Sequence, residues 1–420
     1  MLEATRLTRE GKLTEASALL QRLLRGDEAA GTAPATPHNT PARAAGRPPR
    51  IIDIDPETGE SSGPGPAPEP RPTAGARWHS GGLDTATMPQ MPEALRGFLD
   101  RINQDGVAQG LRGRARAPTA RVPAALPDGA QFVARSFTSD IGSRGYKLYI
   151  PSTYRGEAVP LVVMLHGCTQ SPDDFAAGTR MNALAEEHCC LVAYPGQTHA
   201  ANAQKCWNWF SPGDQQRDQG EPALIAGITR QVMRDHAVDP QRIYVAGLSA
   251  GGAAAAIMAQ AYPDLYAAVG VHSGLPCGAA RDIPSAFAAM RQGAATSKQP
   301  GRGSATAGRQ RIVPTIVFHA DKDETVHPCN GDRVIAQSAA AGDLRTQVQR
   351  GQVPGGHAYS LTIHTDAAGQ PVLEQWLVHG GGHAWSGGSA AGSYTDPRGP
   401  DASREMLRFF LEHPQGTRAS

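Results

Sequence analysis

Short apolar runs recur at strand length along the chain from residue 146 onward: Tyr146–Ile150, Leu161–Leu165, Leu191–Tyr194, Ile243–Ala246, Ala267–Val271 and Val313–His319. Runs of this length, bounded by turn residues, read as buried strands. Between them lie stretches with helical periodicity, notably Asp174–His188, Pro222–His236 and Ala250–Gln260. Strand and helix in alternation predict an α/β fold whose mostly parallel sheet carries helices on both faces. Further on, Ala358–Thr365 and Val372–His379 flank the turn-forming Asp366–Gln370, which predicts an antiparallel hairpin extending the sheet. A last helix is expected over Ala402–His413, with Asp401 placed to cap it.

Upstream the pattern is different. Leu7, Leu13, Ala16, Leu19, Leu20 and Leu23 fall near one helical face, broken at Gly11, so residues 1–25 read as a short helical segment with too little apolar surface to stand alone. Residues 26–127 are dominated by Pro, Gly and Ala and read as a largely disordered linker. It holds one short amphipathic island, Glu93–Ile102, and a basic cluster, Arg112–Arg121. These two could attach the chain to a granule or another anionic or apolar surface; the plainer reading is a solvated linker, and it is the one favoured. The catalytic domain is then expected over 128–416.

Bulk properties narrow this picture only a little. A net charge of +1 argues against nucleic acid as a partner, and no apolar run reaches the length of a membrane span. The start, Met1–Arg6, mixes charges where an export signal needs an apolar heart, which favours the cytoplasm. Six cysteines leave the compartment open. Cys168, Cys206, Cys277 and Cys329 all adjoin candidate site loops and could form two clips across loop pairs, whereas Cys189 and Cys190 sit where a helix meets a strand and read as buried thiols.

The chemistry begins at Gly247-Leu248-Ser249-Ala250-Gly251-Gly252, where a buried strand turns into an alanine-rich helix. A turn that sharp strains the serine backbone and requires neighbours without a Cβ, the places filled by Gly247 and Gly251. It lifts the Ser249 hydroxyl above the sheet and aims the Ala250 N–H at the oxygen of a reacting carbonyl. Serine needs a base and a group to orient that base. The loop His319-Ala320-Asp321-Lys322-Asp323 offers the acid, Asp323 being favoured over Asp321, which could instead tie down the loop. The glycine-rich Gly380-Gly381-Gly382-His383 offers the base, with His272 a weaker rival; His319, His357, His364 and His379 read as structural. The strand ending in Leu165-His166-Gly167-Cys168 can supply a second oxyanion donor, the N–H of Cys168. Trp207, Trp209 and Phe210, with Trp385 downstream, suggest the apolar wall of an acyl or aryl pocket, against even odds of plain packing.

Four separate motifs, His166–Gln170, Cys206–Phe210, Gly247–Gly252 and Gly382–Gly388, stand in the order that resembles the polyhydroxybutyrate depolymerase-type esterases, α/β-hydrolases related to feruloyl and acetylxylan esterases. The resemblance covers roughly Asp128 to Leu411. It implies an esterase with Ser249 as nucleophile, Asp323 as orienting acid and His383 as base, with no metal or organic cofactor. It also keeps an extracellular location open. Ala320 and Ser386 depart from the family's usual glycine and proline. A feruloyl or acetylxylan-type esterase, a serine peptidase on the same fold, and a non-catalytic surface-binding protein are the competing readings.

Overall fold

Strands that are apolar on both sides need cover on both sides, and the sheet is built accordingly. The computed structural model describes residues 126–294, 312–340 and 342–416, all within one compact unit, Met88–Ser420. The expectations for residues 1–125, including the helical segment, the linker, the island and the basic cluster, lie outside the described residues.

In chain order the elements are β1 (Gln131–Ser139), β2 (Gly142–Ile150), β3 (Val159–Leu165), α1 (Pro172–Thr179), α2 (Met181–His188), β4 (Leu191–Pro195), α3 (Gly220–Asp235), β5 (Val238–Leu248), α4 (Ala250–Ala261), β6 (Ala268–His272) and α5 (Ile283–Gln292). There follow β7 (Thr315–Ala320), α6 (Cys329–Ala339), β8 (Arg345–Gln352), β9 (Ala358–Thr365), β10 (Pro371–Val378), β11 (Trp385–Ser386), β12 (Thr395–Asp396) and α7 (Ala402–Glu412). Ten strands form one sheet in the order β1-β2-β4-β3-β5-β6-β7-β10-β9-β8. The middle, from β4 to β10, is parallel, and antiparallel pairs flank it.

Alternation along each central strand splits the core in two. Leu161, Val163, Leu165, Ile243 and Val245 pack on one face with Ile225 and Ile228 of α3 and Ile257 and Met258 of α4. Val162, Met164, Tyr244 and Ala246 pack on the other with Phe175 and Leu184 and with Met406, Phe409 and Phe410 of α7. Asp401 caps α7, its carboxylate accepting from Arg404 N at 3.1 Å.

Two differences from the sequence pattern have local causes. The expected helix Asp174–His188 is broken at Arg180, whose φ of 57° is left-handed. The break orients Arg180 so that its guanidinium reaches Gly387 O at 2.9 Å and Asp401 Oδ2 at 3.1 Å. The edge strands β1 and β8 carry no apolar run; β8 (Arg-Thr-Gln-Val-Gln-Arg-Gly-Gln) is almost wholly exposed, as charged and polar edges that resist further pairing are.

Candidate active site

The strand β5 delivers Ser249 at the top of the sheet with φ 57° and ψ −118°, a backbone no β-carbon-bearing residue adopts without cost, of order 1–3 kcal/mol. The surroundings leave it no choice. A Cβ on Gly247 would run into Gly251 O and stand 2.7 Å from Leu165 O; one on Gly251 would run into Leu165 O and stand 2.6 Å from His166 O. Strand β3, the elbow and the start of α4 therefore touch backbone to backbone. Ser249 N donates to His272 O at 2.9 Å and Ser249 O accepts from Ala253 N at 2.9 Å, which fixes the turn from both sides. The hydroxyl is half-buried and makes no hydrogen bond among the described residues. The N–H groups of Ala250 and Cys168 are likewise without a partner there, so two backbone donors stand open.

Asp323 and His383 are brought together. Asp323, in the loop after β7, is buried, and its Oδ2 accepts from His383 Nδ1 at 2.7 Å. The other oxygen accepts two amides, Thr325 N at 3.0 Å and Val326 N at 2.8 Å. Burial alone would raise this carboxyl, but it is outweighed by His383, then His319, and the acid is held far below the ordinary carboxylate range. His383, in the loop after β10, is mostly covered and keeps Nε2 unbonded among the described residues. Ser249 and His383 share no hydrogen bond, a separation common before substrate binds.

The rival residues have other tasks. Asp321 accepts from Gly380 N at 2.7 Å and from His379 Nδ1 at 3.1 Å, tying β10's exit to β7's. His272 is buried with both ring nitrogens occupied: Nε2 accepts from Ser386 N at 2.9 Å, and Nδ1 lies 3.2 Å from Ser273 Oγ. Burial, aided by the neighbouring His319 and His383, pushes its pKa down to about 3. His319 Nε2 lies 2.8 Å from Val326 O, and 3.4 Å from Asp323 Oδ2, so it backs the acid loop from behind. His357 pairs with Asp396 at 2.8 Å and His364 with Thr346 at 3.1 Å.

The oxyanion-side loop is anchored by groups that give little signal in the sequence. Cys168 is disulfide-bonded to Cys206, whereas Cys277 and Cys329 are free thiols, so only one of the two possible clips is formed; Cys190 is buried and Cys189 half-buried. Trp207 is wholly buried and its indole N–H donates to His166 O at 3.0 Å; Trp385 is buried too, stacked on His272 with its N–H on Ser403 Oγ at 3.0 Å. These two of the four aromatics expected on a pocket wall are interior, because each indole N–H finds its partner inside the protein. Trp209, also expected on that wall, is buried too, packed in the core and set edge-on to the half-buried Phe210. Beneath the loop lies Glu221 of α3, accepting from Asn208 N at 2.7 Å, Asn208 Nδ2 at 2.8 Å and Gln197 Nε2. Burial pushes this carboxyl up to about 7 against those donors and the guanidinium of Arg144. Gln197 N in turn donates to His166 Nε2 at 3.0 Å, and burial pushes His166 down to about 4. A lone Glu in a helix's first turn reads as a solvated charge, and no local pattern marks this one as buried. Among the described residues no group of three or more His, Cys, Asp or Glu could hold a metal ion, and no helix is long and apolar enough to cross a membrane.

A mostly parallel sheet with serine on the strand-to-helix elbow, an acid after β7 and a histidine after β10 defines the α/β-hydrolase class. Residues 144–346 match the family model described as Esterase PHB depolymerase, and this part of the chain carries that domain. It is 33% identical over 254 residues to poly(3-hydroxyalkanoate) depolymerase C of Paucimonas lemoignei, covering 59% of this chain and 60% of that protein. It is 32% identical over 128 residues to feruloyl esterase B of Thermothelomyces thermophilus, covering 30% of this chain and 43% of that protein. An acetyl xylan esterase from Aspergillus awamori has the same fold, with a TM-score of 0.50 at 19% identity over 67% of this chain and 99% of that one. The chain spans 60% and 50% of the length of the two poly(3-hydroxyalkanoate) and poly(3-hydroxybutyrate) depolymerases it matches.

Proposed function

We propose that the domain is a serine carboxylic-ester hydrolase acting on hydroxyalkanoate oligomers and short aliphatic esters. The observation that carries the reading is the Asp323–His383 pair, with Nε2 of the imidazole free, at the same end of the sheet as the strained Ser249 and its two unpaired backbone amides. In the proposed cycle Ser249 Oγ attacks the ester carbonyl and gives its proton to His383 Nε2. The imidazolium so formed is held by Asp323, and the N–H groups of Ala250 and Cys168 take the negative oxygen. His383 then returns the proton to the leaving alcohol, and water, activated by the same nitrogen, releases the acid from acyl-Ser249.

The preference for an aliphatic acyl chain over a sugar ester rests on where the polar groups of this region are spent. Asn208 receives Asn202 Nδ2 at 2.8 Å and gives its own amide to Glu221. Asp214 accepts from Glu221 N at 2.8 Å, Arg217 pairs with Asp264, and Asp218 with Tyr262. Few directed donors are left for a sugar, whose selective recognition depends on such groups going unpaired when the wrong substrate binds. The test is a panel of p-nitrophenyl butyrate, hydroxybutyrate oligomers, feruloyl and acetyl-xylan esters and an anilide, with Ser249→Ala as the control. Oligomers and short esters should be hydrolysed best, all through Ser249. A feruloyl or acetyl-xylan ester outrunning the oligomers tenfold, about 1.4 kcal/mol in the transition state, would overturn the substrate choice. An anilide cleaved as fast as its ester would favour a peptidase.

A further inference from the structure

A second serine, histidine and aspartate are joined in line, away from Ser249. Ser360 Oγ lies 2.9 Å from His379 Nε2, and His379 Nδ1 lies 3.1 Å from Asp321 Oδ2. The topology sets this register. Ser360 of β9 pairs with Leu377 of β10, so His379, two residues on, stands diagonally across on the same face. The His379 amide donates to Ala358 O at 2.8 Å, and Asp321, leaving β7, anchors to Val378 O through its own amide at 3.0 Å. The remaining Asp321 oxygen accepts from Gly380 N, which fixes the carboxylate's direction toward the ring. The carboxylate thus selects the tautomer with the proton on Nδ1, leaving Nε2 to accept from the serine. The site is open to solvent: the His379 and Asp321 side chains are 38% and 32% exposed, and Ser360 is half-buried.

We propose that Ser360 is a second nucleophile, activated by His379 and oriented by Asp321, that takes up acyl or phosphonyl groups from activated donors such as aryl esters and fluorophosphonates. Ser360 Oγ bonds to the acyl carbon as the bond to the aryl oxygen breaks. The serine proton passes to His379 Nε2 and from there to the departing phenolate, giving acyl-Ser360 and a phenol; with a fluorophosphonate Oγ bonds to phosphorus as the P–F bond breaks, and the proton leaves with the fluoride, giving phosphonyl-Ser360. One feature limits the site to uptake. Ser360 lies mid-strand, paired with Arg350 on one side and Leu377 on the other, so its backbone is committed to the ladder and no elbow amide is offered to a developing oxyanion. Only donors with good leaving groups are expected to react, and the acyl group is expected to stay.

The experiment uses the full chain carrying Ser249→Ala, so that its outcome does not depend on the proposed hydrolase site. The protein is incubated with p-nitrophenyl acetate, and separately with a fluorophosphonate, and mapped by peptide mass spectrometry over time. Ser360 should be modified at least tenfold faster than Ser139, an exposed serine with no histidine beside it. Adding His379→Gln should bring Ser360 down to the Ser139 rate, with circular dichroism confirming the fold. The milder Asp321→Asn, which keeps an acceptor for Gly380 N, should slow Ser360 at least threefold. Modification of Ser360 no faster than Ser139, or a rate indifferent to His379→Gln, would overturn the proposal and leave the three residues as a structural pin.

Discussion

Replacing Asp323 by Asn tests how the proposed base is oriented. The buried carboxylate spends Oδ1 on two backbone amides, those of Thr325 and Val326, and presents Oδ2 to His383 Nδ1 at 2.7 Å and His319 Nε2 at 3.4 Å. An Asn side chain can keep both amide bonds only with its carbonyl oxygen in the Oδ1 position. The NH2 then faces His383. Turned the other way, it would set N–H against N–H twice in a buried site, at about 1–3 kcal/mol for each group left unpaired. The first orientation therefore wins, and it donates to Nδ1, moving the ring proton to Nε2. That nitrogen can no longer accept the proton of Ser249. The loss falls on the chemical step, so kcat for p-nitrophenyl butyrate should drop about 10³–10⁴-fold, roughly 4–5.5 kcal/mol, with KM little changed. Asp321→Asn is the internal control: its oxygen can still accept from Gly380 N, and the altered ring is His379, so kcat should change by no more than a few-fold. Steady-state kinetics on both variants, with folding checked by circular dichroism, decide the matter. If Asp323→Asn keeps a tenth of the activity, or Asp321→Asn costs more than Asp323→Asn, the assignment of the acid is wrong.

Stability should have a maximum near pH 6.5 and decline on the acid side. His166 and His272 are buried neutral, with folded pKa values pushed down to about 4 and about 3, so unfolding takes up a proton at each once the pH falls below 6.5. Glu221, raised to about 7 from 4.5, acts in the opposite sense: its contribution is present at low pH and lost as the pH rises through 7. Between pH 6.5 and 4.5 two histidines outweigh one glutamate by one proton, so unfolding free energy should fall by about 1.4 kcal/mol per pH unit, and a rise from pH 6.5 to 5 in urea titrations would refute this. The Cys168–Cys206 bridge, across a sequence separation of 38, should contribute about 4 kcal/mol by loop closure, and Cys206→Ser should also lower kcat about tenfold by loosening the loop that carries the Cys168 N–H. Unchanged kcat in Cys206→Ser would remove Cys168 from the oxyanion role.

What the sequence makes legible here is what local pattern encodes. Ser249 stands out because Gly247 and Gly251 are demanded by backbone contacts with Leu165 and His166, and such contacts leave a fixed spacing of glycines. The central strands show as apolar runs because both of their faces are covered. The edge strands β1 and β8 do not, since partners across the ladder, and not their own apolar residues, make them strands. Trp207 and Trp385 carry the composition of a pocket wall, yet their indole N–H groups are satisfied internally by residues 41 and 18 positions away, which no local pattern announces. Glu221 belongs to the same class, a charge whose burial depends on Gln197 and Asn208 arriving from another segment.

The central claim is that ester cleavage proceeds through acyl-Ser249. Mixing the wild-type chain with excess p-nitrophenyl butyrate, quenching in acid within the first turnover and mapping the peptides by mass spectrometry reads this directly. The account predicts a butyryl group on the peptide holding Ser249, appearing together with the first equivalent of p-nitrophenol and absent from Ser249→Ala. Catalytic turnover that continues in Ser249→Ala, or a wild-type Ser249 peptide that carries no butyryl group during the first turnover, would contradict it.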